Sequence, residues 1–591
     1  MVVLLAFTTV NFLYSDVKAT IEHSFNFIDS ILQGRPLDFY QIAIDNSTFG
    51  HPAVYDFPLY AIFAVWNLPI YIIHHITGID YLYSFGCLLW SKLMIVAFTL
   101  LAAWALNRLA KTIGLDKGRR RWVVLLFLTA STVIIPVFII AQYDIIGIAF
   151  MLLGIDAYLR GKTKSFLVWF AIANTMKLFS LFLFVPLVLL RTKKLWPIIG
   201  QGIVGIAGVA ICKLVYGSQP AYQASTGGFM DGMLSRLTAT GFKWEYDQVV
   251  LPLFVIVILL TCLFAYVRKS EDGKDLARLS IYLAFIVWAA FVALVPLNPY
   301  WMILVAPFAI LMPFLNSRHL SLNLILETAM GGALVWISAC MSWWVFGTGT
   351  TQAMLPGVVH PVTYGQRYPA LRDLIIRVAG SDHLQIISAI LVTSVIGMSV
   401  LMYPRRSDVS DTFNEEHVSR ALVWLRGAVP ALVAVAMLFI YLFPAQTPIL
   451  DTRNGTLVNA SADLLQQGTS VEQTLEIQQT ITVTRVIIGF TAEGFDWINS
   501  SMVEVSIIDP STQTTMWATT RSVNSFEGEF VTFDVSGVQM DQGKSYLLRI
   551  TGSSGEGVPL YVQLNQDIDQ FPTMVNGRQV SGDVALAVFG R

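Results

Sequence analysis

The chain has 591 residues, of which 55% are hydrophobic and only 13% charged, with a net charge of −1. Such a composition excludes an ordinary soluble globular protein of this length and points to the bilayer as solvent. Charge is divided unevenly: from Asp451 onward there are seven Lys/Arg against sixteen Asp/Glu, a net of −9, which leaves +8 for the residues before it. No basic stripe marks a soluble face, so a nucleic-acid partner is not expected. The four cysteines, Cys87, Cys212, Cys262 and Cys340, all lie in apolar runs and read as small core residues, not as a disulfide framework or zinc site.

From the N-terminus, residues 2–14 form an apolar run without a basic leader, which reads as a short first span rather than a removed signal. Runs long enough to cross follow near 85–107, 122–140, 198–216, 250–267, 279–297, 321–345, 385–402 and 427–443, with shorter ones near 145–159, 166–176, 178–190 and 300–315. Basic clusters at Lys111–Arg121, at Arg160, Lys162 and Lys164, at Arg191, Lys193 and Lys194, and at Arg405, Arg406 and Arg426 should all face the cytoplasm. That constraint makes 57–77, with its Asp56, Pro58, Asn67, Pro69, His74 and His75, an interfacial or re-entrant segment. The expected architecture is a polytopic α-helical membrane protein of about 13 spans over residues 1–445. Its N-terminus is cytoplasmic, and large outward segments lie at 15–84, 217–249 and 346–384.

The tail changes character. From about 470 it reads as short alternating strands, for example 502–508, 528–534, 545–551 and 558–564, and about eight of these predict an extracytoplasmic β-sandwich or jelly roll over 451–591. Asn-X-Ser/Thr sequons stand at Asn454, Asn459 and Asn499.

Several polar residues interrupt the apolar pattern. Asp16 stands where the first span ends, although a span needs a polar stop in any case. Gln142, Tyr143 and Asp144 break two apolar runs at an outward turn, where an acid is ordinary. Asp156 is explained by Arg160 one helical turn later. Lys92 lies inside a span and Lys177 at the apex between two half-length helices, both costly positions that suggest an anionic partner; snorkelling is the rival for Lys92 and Lys213. Tyr300 and Trp301 follow Pro296–Pro299 at a turn where an aromatic belt also accounts for them. Arg236, Lys243 and Trp244 suit a solvated face as well as a site, while Arg35, His51 and His74 are in reach of an outward phosphate.

Asp16, the stretch Gly34–Tyr40, Tyr55–Tyr60, Gln142–Asp144 and Asn174–Lys177 ahead of Leu181–Pro186 occur in an order that resembles the GT-C glycosyltransferases, including the bacterial mannosyltransferases related to the GPI mannosyltransferases. The resemblance covers roughly residues 1–345. It implies transfer of a hexose, mannose for example, from a polyprenyl-phosphate donor to an extracytoplasmic glycan, lipid or protein acceptor with inversion. By that resemblance Asp16 is the catalytic base, Lys177, Lys92 and Arg35 meet the donor phosphate, and Gln142, Tyr143, Asp144, His51 and Tyr300 line the substrate site. Ser15 and Val17 flank Asp16 where some members pair two acids, so neither metal nor cofactor is expected. A transporter or flippase of lipid-linked sugars is the competing reading, opposed by the lack of a repeat of spans. A noncatalytic assembly subunit with a glycan-binding tail is the third.

Overall fold

The computed structural model describes residues 2–14, 16–48, 51–243, 250–315, 319–341, 345–346, 353–357, 370–380, 383–404, 418–442, 448–466, 468–492, 501–526, 529–552 and 559–590. Arg405, Arg406, Trp244 and the sequon at Asn499 lie outside these residues. The chain divides into two compact units, Met1–Pro444 and Ala445–Arg591.

The first unit is helical. It begins with α1 (Val2–Asn11), α2 (Asp16–Leu32), α3 (Phe39–Asp45), α4 (Phe57–Thr77) and α5 (Phe85–Thr112). Then come α6 (Lys117–Thr129), α7 (Ser131–Ile134) with a π-helix at Ile135–Ile139, α8 (Asp144–Leu159), α9 (Thr163–Met176) and α10 (Leu181–Arg191). The middle of the unit holds α11 (Leu195–Gly205), α12 (Ala207–Tyr216), α13 (Pro220–Ala239), α14 (Leu253–Val267) and α15 (Gly273–Leu294). It closes with α16 (Ala306–Leu315), α17 (Leu320–Ala339), α18 (Leu371–Ala379), α19 (His383–Leu401) and α20 (Arg420–Leu442).

Among the described residues, α4, α5, α15, α17, α19 and α20 are long and apolar enough to cross a bilayer. The number rises to 8 if α6 with residues 131–139, and α11 with α12, each count as one bent span. Thirteen spans exceed this, because α1, α14 and the segments Leu178–Arg191 and Pro299–Leu315 are apolar but only 10–17 residues long. Of the two expectations for 57–77, interfacial or re-entrant, the second does not hold. The stretch is one unbroken helix of 21 residues running through Pro69, with no turn on which to re-enter.

Both bends have local causes. Ala130 is extended (φ −66°, ψ 135°) and parts α6 from α7 by 55°. Between α11 and α12 the chain turns by 53° and then presses Gly208 onto α9, so close that a Cβ there would lie 1.9 Å from the Thr175 hydroxyl. Only glycine admits that approach.

Several charges within the bundle are paired. Asp156 receives Arg160 at 3.0 Å, as its spacing predicts, and also Arg108 at 2.8 Å. Arg426 corrects the loop reading: it is buried, ion-paired to Glu327 of α17, and donates to the Leu126 carbonyl at 2.9 Å. A buried cation with those partners is a structural tie between helices rather than a loop charge.

The second unit is a β-sandwich. A six-stranded sheet runs Arg578–Val580, Thr573–Val575, Ser470–Glu476, Ser545–Gly552, Met502–Asp509, Thr514–Ser522. The seven-stranded sheet centres on Ile481–Ala492, flanked by Phe530–Met540, Leu560–Asn565 and Leu586–Gly590. Inward side chains of both sheets, including Val505, Ile507 and Leu548 from one and Val486, Ile488 and Val588 from the other, form a single core. Strand alternation, buried at every second position along Ser470–Glu476, produces it.

Candidate active site

The segment Phe12–Tyr14 leaves α1 extended and is held on two sides. Leu13 N–H donates to the Ala353 carbonyl at 3.0 Å and Leu355 N–H to the Asn11 carbonyl at 2.9 Å, while Tyr14 N–H donates to the Ile140 carbonyl at 3.2 Å. From this fixed base Asp16 opens α2 as its first residue, where the helix N-terminus favours a carboxylate.

The second contribution comes from the turn before α8. The π-helix at Ile135–Ile139 ends in Ala141, whose φ of 63° is left-handed, an arrangement disfavoured for a residue with a Cβ. This turn presents Gln142, Tyr143 and Asp144 in sequence. Gln142 Nε2 donates to Asp16 Oδ2 at 2.6 Å, joining two segments 126 residues apart. Asp144 opens α8 and pairs with Lys177 Nζ at 2.7 Å.

Lys177 stands at the break between α9 and α10, its backbone extended (φ −153°, ψ 119°), as the two half-length apolar runs predict. Its ammonium also donates to the Tyr55 hydroxyl at 3.1 Å and lies 5.5 Å from the Tyr143 ring. Tyr55 therefore stands between the lysine and the Asp16 side.

Two cavities meet at that tyrosine. One, about 390 Å³, is lined by Asp16, His23, His51, Tyr143, Arg236 and Tyr300, with further aromatic rings from Tyr14 and Tyr60. The other, about 750 Å³, is mostly apolar, with Met176, Phe179, Phe182, Met230 and Leu234 in its walls and Lys177 among them. Val54, Tyr55, Phe229 and Met233 line both. Rings beside polar groups suit a sugar, and apolar walls around a cation suit a lipid bearing an anionic head.

Burial pushes the Asp16 carboxyl above its ordinary value; Asp144 acts in the same sense, opposed by the hydrogen bond from Gln142 and by Lys177 and His51. Burial likewise lowers His23, favouring its neutral form, with Nε2 at 2.8 Å from the His51 carbonyl. Tyr300 accepts from Asn298 Nδ2 at 2.9 Å, and Asn298 Oδ1 takes Arg236 at 2.6 Å.

Asp16, Gln142, Tyr143, Asp144, His51, Lys177 and Tyr300 thus come together. Three expected residues do not. Lys92 is fully buried and spends its three N–H bonds on backbone carbonyls: Thr8 at 2.9 Å, Phe138 at 2.7 Å, and Phe12. It ties the end of α1 to the π-helix and has no donor left for a phosphate, which corrects its assignment. Arg35 pairs with Asp38 at 2.8 Å on the exposed surface and lines neither cavity. His74 meets the Ile79 carbonyl at 2.7 Å and likewise lines neither.

His23 has no sequence signal, Tyr55 and Tyr60 enter only as the ends of a resembling stretch, and Arg236 suits a solvated face as well as a site; the structure brings all four to the cavities. Tyr55 sits inside the Tyr55–Tyr60 stretch, and its pairing with Lys177, 122 residues away, has no trace in local pattern. Among the described residues no group of three or more His, Cys, Asp or Glu could hold a metal ion. No protein-family model and no curated protein matches this chain.

Proposed function

We propose that this chain is a membrane glycosyltransferase that moves a hexose from a polyprenyl-phosphate donor to an extracytoplasmic glycan, lipid or protein hydroxyl. The observation that carries the reading is the junction at Tyr55: a polar, ring-lined cavity holding Asp16 opens beside an apolar one holding Lys177. In this reading the sugar lies in the first, the prenyl chain in the second, and the phosphate between them.

In the transfer step the acceptor oxygen bonds to the anomeric carbon as the carbon–oxygen bond to phosphate breaks. The acceptor proton passes to Asp16, and the phosphate leaves with the electron pair. A single displacement of this kind inverts the anomeric centre. Asp16 supplies general-base catalysis, worth typically about 100-fold or more, Lys177 offsets charge developing on the leaving phosphate, and the cavity walls orient the two reactants. Gln142 holds the base carboxylate, and Asp144 holds the lysine. The resemblance to the GT-C enzymes supports the same roles, with mannose as the sugar to try first and the cell membrane as the location.

Purified full-length chain incubated with a panel of radiolabelled polyprenyl-phosphate sugars and membrane acceptors tests the reading. Label incorporated into acceptor through a new glycosidic bond is the expected result. Label that crosses vesicle membranes still attached to its lipid would make the chain a flippase, and no turnover of either kind would overturn the enzyme assignment.

A further inference from the structure

α13 is the wall common to both cavities, and its sequence works against its own helicity. Gly228, Phe229, Gly232 and Arg236 face the polar cavity, while Gly227, Met230 and Leu234 face the apolar one. The helix is secured at its ends. Tyr222 in the first turn donates to Asp56 Oδ1 at 2.8 Å and packs on the rings of Tyr40 and Tyr216. Arg236 in the last turn reaches Asn298 and lies 5.6 Å over Trp301. Between these anchors no residue from Thr226 onward is buried.

Gly227, Gly228 and Gly232 occupy that stretch, where support comes only from partly buried side chains such as Phe229 on the Tyr55 ring and Met233 against the core. A Cβ at any of the three would meet nothing within 4 Å, unlike Gly208 on α12, whose absence of side chain is required by packing. Nor does any of the three have a left-handed backbone. Neither close packing nor a turn accounts for them. Besides leaving room in the cavities they line, they weaken the helix, by about five-fold in helix–coil equilibrium for each Gly in place of Ala, or about 100-fold for three. Few buried contacts and weak propensity together mark a segment that opens locally at low cost.

We infer that α13 is a gate: it unwinds around Gly227 and Gly228 while its ends stay tethered, and so admits the long-chain lipid substrate to the apolar cavity and lets the spent lipid out. The identity of what passes rests on the lipid-phosphate reading above; the opening itself does not.

The test uses the full chain in lipid nanodiscs. Hydrogen exchange should be about 100-fold faster across 226–236 than across 281–292 of α15, and the combined Gly227→Ala, Gly228→Ala and Gly232→Ala variant should slow α13 exchange by about the same factor. With a long-chain polyprenyl phosphate as probe, association and dissociation should both slow in the variant, in step with the slowing of exchange. Wild-type α13 amides as protected as those of α15 would overturn the gate, as would association that stays fast when exchange has slowed. A weakened dissociation constant with unaltered association rate would instead make the glycines a contact surface. If wild-type chain binds no polyprenyl phosphate, the donor reading fails, and the exchange comparison still decides whether α13 opens.

Discussion

Asp16 carries a raised pKa because burial disfavours its charged form. In the pH window between the unfolded carboxyl value, about 3.9, and the higher folded one, the native chain binds more protons than the unfolded chain. Stability therefore falls as pH rises through that window, and at neutral pH the ionised group is a net cost. Asp16→Asn keeps an acceptor for Gln142 and removes the charge. It should leave the melting temperature at pH 7 equal to wild type or higher, while turnover drops by about 100-fold or more. Thermal unfolding in detergent beside a transfer assay reads both; a lower melting temperature would contradict the burial argument, and near wild-type transfer would move the base to Asp144. The acid limb of the rate profile should lie above the ordinary carboxylate range.

Lys177 is a different case, since its removal leaves the buried Asp144 carboxylate without its counter-ion. Breaking such a pair from one side costs about 3–5 kcal/mol. Lys177→Ala should lose both stability and donor affinity, whereas Lys177→Ala with Asp144→Asn should regain stability and not affinity. Recovery of affinity in the double variant would remove the lysine from phosphate binding. These residues were legible in sequence because a charge inside an apolar run is costly and needs a reason. The same signal misled at Lys92, whose partners are carbonyls 46 to 84 residues distant, invisible to local pattern. Tyr55 and Tyr60 are marked only by the resemblance of their stretch and His23 by nothing, since a ring in an outward segment violates no rule.

At the scale of elements, apolar runs located most helices, and the half-length runs on either side of Lys177 located its break. What they could not supply was continuity. Ala130 and Ile206 bend two segments that read as straight spans, through backbone angles that side-chain hydropathy does not encode. The turn at Ala141 is similarly hidden. Its left-handed φ costs about 1–2 kcal/mol in an alanine and nothing of that kind in glycine. Ala141→Gly should raise stability by about 1 kcal/mol or less after the entropy of the unfolded glycine is counted, measured as a small rise in melting temperature. Ala141→Val should fall well below wild type, and equal effects of the two would mean that the turn relaxes freely.

For the whole molecule, the tail was read more fully than the membrane unit, because strand alternation and turn residues are local signals whereas span count depends on how short helices stack. Ala445–Arg591 has its own core, so the excised segment should unfold cooperatively by circular dichroism as a soluble β protein; a molten, noncooperative product would tie its folding to the membrane unit. The topology we propose puts the tail outside and the start of α6, with Arg119–Arg121, inside. With α4 a continuous apolar helix, that placement requires α4 to lie at the interface rather than cross. An impermeant thiol reagent on intact cells should label a cysteine introduced at Ser525 and not one at Gly118; the reverse pattern would invert the arrangement.

The strip Ala353–Leu355 that pairs with Asn11–Leu13 sets an order of events during synthesis. A nascent chain halted after residue 340 already contains Asp16, Gln142, Lys177 and Tyr300, with Ile140 and Lys92 on one side of Phe12–Tyr14, yet lacks the Ala353 and Leu355 partners on the other. Contacts of such long sequence separation form late. The approach to Asp16 is thus completed only when a segment more than 300 residues downstream returns to the end of the first helix.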